Sequence, residues 1–199
     1  CNSQGLGNIA WAYAVADVNA PSLFDNDFIN TCIEQEEDFT TETLSQLHQW
    51  HLWQKELKSS SRLPPLLQEK CFEAFISRTP RPSALQNNVT FELSSMGLQP
   101  KEEVLTSGGY RLDVVVEVSG KNIGIEVDGP SHFLGRKLTG GTILKRRQID
   151  LLEDISLVSV PYWEWDRLQK DSRNKQQYLR SLMGLDGNIA SGAEYRQEG

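Results

Sequence analysis

The chain has 199 residues, 38% of them apolar, and a formal net charge of -7. That length suits one large domain or two small ones. No apolar run approaches the roughly 18 residues of a membrane span, and the acidic balance excludes a uniformly basic nucleic-acid binder.

The first half is expected to be all-helical. Residues 5–19, rich in Ala and apolar groups, predict a tightly packed helix. Pro21 is placed to open a second, carrying Leu23, Phe24, Phe28, Ile29 and Ile33. Thr40 or Thr41 caps a third over about 41–58, with Leu44, Leu47, Trp50 or His51, and Leu57 turned inward. A fourth covers about 65–77. Beyond the Pro80-Arg81-Pro82 break the period changes. A helix over 83–96 precedes a short strand at Val104 to Thr106, then strands over 111–118 and 122–128. Residues 129–141 read as a glycine-rich loop, Thr142 as the cap of a helix to about Glu153, Ile155 to Val160 as a buried strand, and 172–183 as a last helix. The order α-β-β-β-α-β-α predicts an α/β sandwich with one mixed sheet, the helix between the last two strands allowing a parallel join. Residues 185–199 have the composition of a flexible tail.

Charge follows this division. Residues 1–109 hold 7 Lys/Arg and 14 Asp/Glu, whereas residues 110–199 hold 13 of each. Cys1, Cys32 and Cys71 have neither metal-site nor disulfide spacing and read as buried thiols of a reducing compartment. A chain opening on Cys1 is expected to be part of a longer protein.

The chemistry concentrates between Tyr110 and Phe133. Side chains alternate along a strand, so Asp113, Val115 and Glu117 share one face and Glu126 and Asp128 another. A hairpin that joins those faces lets Asp113 and Glu126 hold one Mg²⁺ or Mn²⁺, ions that favour hard oxygen ligands. Such an ion polarises a phosphate and activates water. His132, after the Gly-Pro break, is placed to shuttle a proton or touch phosphate. The alternative is that these acids are solvent-facing strand ends and His132 bonds its own loop. Lys145, Arg146 and Arg147 form a basic cluster that either attracts an RNA backbone or is a solvated helix face. Arg136 and Lys137 lie in the glycine-rich segment, which has no P-loop ending. Trp163 and Trp165 stack on bases or close a sheet edge. His48 and His51 are at helical spacing without an accompanying acidic motif, so a metal site there is not expected.

Three stretches resemble the RAP domain: Ile125-Glu-Val-Asp-Gly-Pro-Ser-His-Phe133, Leu144-Lys-Arg-Arg-Gln-Ile-Asp-Leu-Leu152 and Val158-Ser-Val-Pro-Tyr-Trp-Glu-Trp165. The resemblance spans about residues 105–170. It implies an RNA-binding module related to PD-(D/E)XK nucleases of the very-short-patch-repair type, with a restriction-endonuclease-like α-β-β-β-α-β sandwich over residues 80–184. It further implies Asp113 and Glu126 as the first two acidic positions. The third, usually lysine, holds Asp128, so a catalytic cation is missing or supplied elsewhere, by Lys145 for example. Ser3 to Ala14 is similar to a helix of octotricopeptide repeats, and the helical part as a whole to the region preceding such domains in the Fas-activated kinase family. This makes residues 1–79 the end of an α-solenoid that reads single-stranded RNA. The expected function is an organelle factor, mitochondrial or plastid, acting in RNA processing, RNA stability or ribosomal RNA maturation, with RNA, the ribosome or other organelle RNA factors as partners. Two alternatives accompany it: a metal-dependent endoribonuclease using Asp113, Glu126 and Asp128, and a non-catalytic protein-docking module.

Overall fold

The computed structural model describes residues 2–77, 79 and 81–185, so the expected tail lies outside the described residues save for Leu185. Helix α1 (Ser3–Ala16) starts where the Asn2 side chain accepts the Gly5 N–H. It ends earlier than expected because Asp17 turns left-handed, with φ of 54°, and its carboxylate accepts the Trp53 indole N–H at 2.8 Å. Helix α2 (Asn26–Glu34) begins at Asp25, whose carboxylate accepts the N–H groups of Asp27 and Phe28. A side-chain cap satisfies two orphan donors, which Pro21 has no group to do. Helix α3 (Thr41–Glu56) is capped by Thr40, and α4 (Pro65–Ile76) opens on proline. Gly7 lets α1 cross α3 closely, since a Cβ there would sit 2.6 Å from Gln46 Oε1. Trp50, Trp53, Phe24 and Leu47 are fully buried among these helices. Each such side chain contributes about 1.5–3 kcal/mol by leaving water.

Helix α5 (Ala84–Ser95), capped by Ser83, precedes β1 (Lys101–Leu105), β2 (Arg111–Val118) and β3 (Lys121–Asp128). The first strand thus starts three residues before the predicted one. The predicted loop is partly ordered: a 3-10 turn over Pro130–His132 leads into a two-residue hairpin, β4 (Phe133–Leu134) and β5 (Lys137–Leu138). Helix α6 (Gly140–Leu152) is capped by Thr139, and Thr142 is the residue whose N–H that cap receives. Strand β6 (Ser156–Pro161), α7 (Tyr162–Arg167) and α8 (Ser172–Leu182) complete the order.

The sheet runs β1-β2-β3-β6, with antiparallel pairs and then a parallel join through α6. The predicted mixed α/β sheet preceded by helices is therefore present. One core packs Val114, Val116, Ile125 and Val160 against Val89 and Leu93 of α5, Trp165 of α7 and Leu179 of α8. The other joins Leu112 and Val115 to Ile149 of α6 and Leu52 of α3. Gly124 makes that second face close-packed, because a Cβ there would lie 3.0–3.1 Å from Leu157, Ile155 and Leu112.

Helix α6 is shared by the sheet and the helical layer. Its Leu144 is buried in the core of the first helices. Arg147 donates to Glu56 at 2.8 Å and to the Ala14 carbonyl at 2.5 Å. Gln148 donates to the Gln49 carbonyl at 2.9 Å and accepts the Tyr110 hydroxyl at 2.7 Å. His48 Nε2 lies 2.8 Å from the Gly108 carbonyl.

Candidate functional site

The β2–β3 ladder runs from Val118↔Lys121 to Val114↔Ile125 and then stops, although both strands continue. Past that point the Asp113 carboxylate accepts the Val127 N–H at 2.7 Å, doing the work of a ladder carbonyl. The β1–β2 ladder is interrupted at the same level: Glu102 pairs with Val114 and Val104 with Leu112, and Glu103 is skipped. Glu103 is left-handed, with φ of 54°. Gln86 Nε2 bridges it, donating to the Glu103 carboxylate at 2.9 Å and the Asp113 carbonyl at 3.2 Å. A non-glycine residue in this region costs about 1–3 kcal/mol, and such strain gathers at functional sites. The sheet thus opens on both sides of Asp113.

Glu126 follows on β3. It is 3% exposed; one oxygen, Oε2, lies 2.6 Å from Lys145 Nζ, while Oε1 is buried with no hydrogen-bond partner. Burial pushes its carboxyl up to about 7, against the pull of Lys145, with the Asp113 and Asp128 charges adding to the rise. Asp113 is also raised by burial, opposed by the Val127 N–H and by Lys145. Lys145 Nζ further donates to the Arg111 carbonyl at 2.7 Å. The Lys145 ammonium therefore contacts Glu126 and, through its charge, also opposes the rise at Asp113.

Asp128 is fully buried, and one of its oxygens takes both the Arg146 guanidinium and the Ser159 hydroxyl. Arg146 also donates to Ser159 at 2.7 Å. The other oxygen lies 3.2 Å from His132 Nδ1. His132 is partly exposed and stands on the 3-10 turn after Gly129.

The basic cluster is neither a free phosphate patch nor a solvated face. An α-helix advances about 100° per residue. Lys145 meets Glu126, Arg146 meets Asp128, and Arg147 meets Glu56 in the seam with the helical layer. Arg147, expected at an RNA surface, is held by two partners on other elements. Trp165 follows the second of its two readings and closes the core: it is 3% exposed and its N–H bonds Asn88 at 2.9 Å. Trp163 is half-buried among Phe133 at 4.3 Å and Tyr162 at 5.2 Å, with the Arg136 guanidinium 5.5 Å above its ring. Arg136 and Lys137 are exposed on the β4–β5 hairpin. Phe133, Tyr162 and Ser159 lay inside the sequence stretches already singled out. The Gln86 bridge and the Glu103 strain left no signal there, because both depend on the neighbouring strand.

Asp113 and the unpaired Glu126 oxygen are hard oxygen donors of the type that Mg²⁺ or Mn²⁺ takes. Arg146 and Ser159 occupy one Asp128 oxygen, while the other is buried without a hydrogen bond, 3.2 Å from His132 Nδ1. Among the described residues no group of three or more His, Cys, Asp or Glu side chains is arranged to hold a metal ion.

Residues 125–182 match the family model of the RAP domain. In an alignment of 197 positions that covers 91% of this chain, the sequence is 31% identical to a RAP domain-containing protein, chloroplastic, of Oryza sativa subsp. japonica. The chain spans about 30% of that relative's length.

Proposed function

We propose that this chain, which carries a RAP domain over residues 125–182, grips single-stranded RNA inside an organelle and acts there in RNA processing, RNA stability or ribosomal RNA maturation. The observation that carries the reading is the shelf of Phe133, Tyr162 and Trp163 under the Arg136 guanidinium, with Lys137 beside it. Aromatic faces next to exposed cations suit unpaired bases and their phosphates. The helical layer is then the end of an RNA-reading solenoid. The chloroplastic name of the rice relative supports an organelle. Fluorescence anisotropy with a labelled single-stranded RNA tests this. The double variant Arg136→Glu, Lys137→Glu is expected to bind at least about 10-fold more weakly, with a salt slope shallower by roughly 1.4 for two lost phosphate contacts. Unchanged affinity and slope would remove the shelf from RNA binding.

A second reading is a metal-dependent endoribonuclease, favoured by the buried, unpartnered Glu126 oxygen beside Asp113. Bound Mg²⁺ or Mn²⁺ would polarise a phosphate and lower the pKa of water there. Lys145 would neutralise Glu126 and supply the cation that position 128 lacks, and Asp128 would orient His132 as a proton carrier. On this reading the wild type cleaves RNA with Mn²⁺, and Asp113→Ala with Glu126→Ala abolishes cleavage while sparing binding. An uncut RNA that still binds leaves the grip without the enzyme.

A further inference from the structure

Between the helical layer and the sheet lies a cavity of about 580 Å³, within the roughly 300–1,000 Å³ of small-ligand sites. Its lining includes Trp11 of α1, Gln49 of α3, Phe75 of α4, Tyr110 and Arg111 at the start of β2, and Lys145 of α6. The aromatic walls are fixed in advance by a chain of hydrogen bonds. The Trp11 indole donates to Gln49 Oε1 at 2.9 Å, Gln49 Nε2 donates to the Tyr110 hydroxyl at 2.9 Å, and that hydroxyl donates to Gln148 at 2.7 Å. The Phe75 and Tyr110 rings meet edge to face at 5.0 Å. Gly141 borders the cavity next to the Trp11 indole.

The lining carries two cations, Arg111 and Lys145, and one carboxylate, Glu42; the Lys145 ammonium is the one that sits on Glu126. The cavity and the acidic site therefore share Lys145. A ligand suited to both parts has a flat, unsaturated ring for the aromatic walls and an attached anion for Arg111 and Lys145. An aromatic side chain of a peptide would fill the first part but bring no anion to Arg111, which donates to the Glu103 carbonyl, or to Lys145, which already holds Glu126. A nucleotide satisfies both, and its strand would continue past Lys145 toward Asp113 and Glu126.

We propose that this cleft takes one unstacked base of single-stranded RNA, with Trp11 as its stacking partner and the adjoining phosphate on Arg111 and Lys145. The proposal rests on the RNA-binding reading and adds a second contact region, made jointly by the helices and the sheet. Base stacking on one aromatic side chain is worth about 5- to 150-fold in affinity. The whole chain is titrated with labelled homopolymeric RNA oligomers as wild type, Trp11→Leu and Arg111→Gln. In parallel, ultraviolet cross-links of the wild type to the same RNA are mapped by mass spectrometry. Trp11→Leu is expected to lose affinity within that range, Arg111→Gln to bind more weakly with a salt slope shallower by about 0.7 for one lost phosphate contact, and cross-links are expected at Trp11, Phe75 or Tyr110. If the wild type binds RNA, both variants bind equally well and every cross-link falls between residues 133 and 163, the cleft proposal fails while the RNA-binding reading stands. If the wild type binds no oligomer, both fail. Should Trp11→Leu not fold, Arg111→Gln and the wild-type cross-link map decide.

Discussion

Burial takes the Glu126 carboxyl from an ordinary 4.5 to about 7, and this has a readable effect on stability. Between those values the folded state keeps a proton that the unfolded chain has released. The contribution of Glu126 is thus most favourable below pH 4.5 and is lost as pH rises to 7, a change of about 3 kcal/mol. His51 acts in the opposite sense. Burial pushes its imidazole down to about 4, so its neutral form is matched above pH 6.5 and stability falls as pH drops from there. A Glu126→Gln variant isolates the first effect, because His51 is common to both proteins. Its stability minus that of the wild type, from urea unfolding, is expected to rise by about 2–3 kcal/mol between pH 4.5 and pH 8. Parallel curves would show that Glu126 does not titrate in this window. The proximity of Asp113 and Glu126 was legible in the sequence, since strand alternation and a Ser-Gly-Lys turn nearly dictate it. The capture of Asp128 by Arg146 was not, because it depends on where α6 lies over β3.

Among the elements, α6 is the one whose removal from context changes most. Arg147 is 20% exposed in its side chain and Glu56 only 4%, and the second Glu56 oxygen is buried without a hydrogen-bond partner. Removing the cation leaves a carboxylate stranded between α3 and α6. Arg147→Met is expected to lose about 2–3 kcal/mol of stability, somewhat less than a wholly buried pair because the guanidinium reaches solvent. Adding Glu56→Gln should restore part of it, and urea unfolding of the four proteins in a double-mutant cycle reads the coupling. A loss below about 0.5 kcal/mol for the single variant would mark the contact as an ordinary surface pair. The long helices and the hairpin were legible because their periods repeat. The β4–β5 hairpin and α7 were not, since two-residue strands and a six-residue helix are too short to show a period. The start of α2 was misplaced because proline is a permissive opening, whereas a capping aspartate is a directive one.

At the scale of the molecule, similarity and structure divide the chain differently. The family match begins at residue 125, midway along β3, and leaves β1, β2 and Asp113 outside it. The α-β-β-β-α-β order could be read from the chain because each element announces itself locally. The seam could not, since Arg147 and Glu56 are 91 residues apart and share no local pattern. On the RNA-binding reading, a chain of net charge -7 would first meet RNA through its exposed cations, Arg136 and Lys137 foremost, before any phosphate reaches Lys145 in the cleft.

Three adjacent cations on one helix, each answering a different acid, also turn chain length into a constraint. The interval from the Thr139 cap to Lys145 works as a ruler. A single residue inserted there would rotate the rest of α6 by about a quarter turn and move every cation off its acid. Charge reversal at one position would disturb one pair; an insertion would derange the acidic site, the Asp128 support and the seam together. In the N-terminal half of α6 a change in length is thus felt at more sites at once than any single substitution.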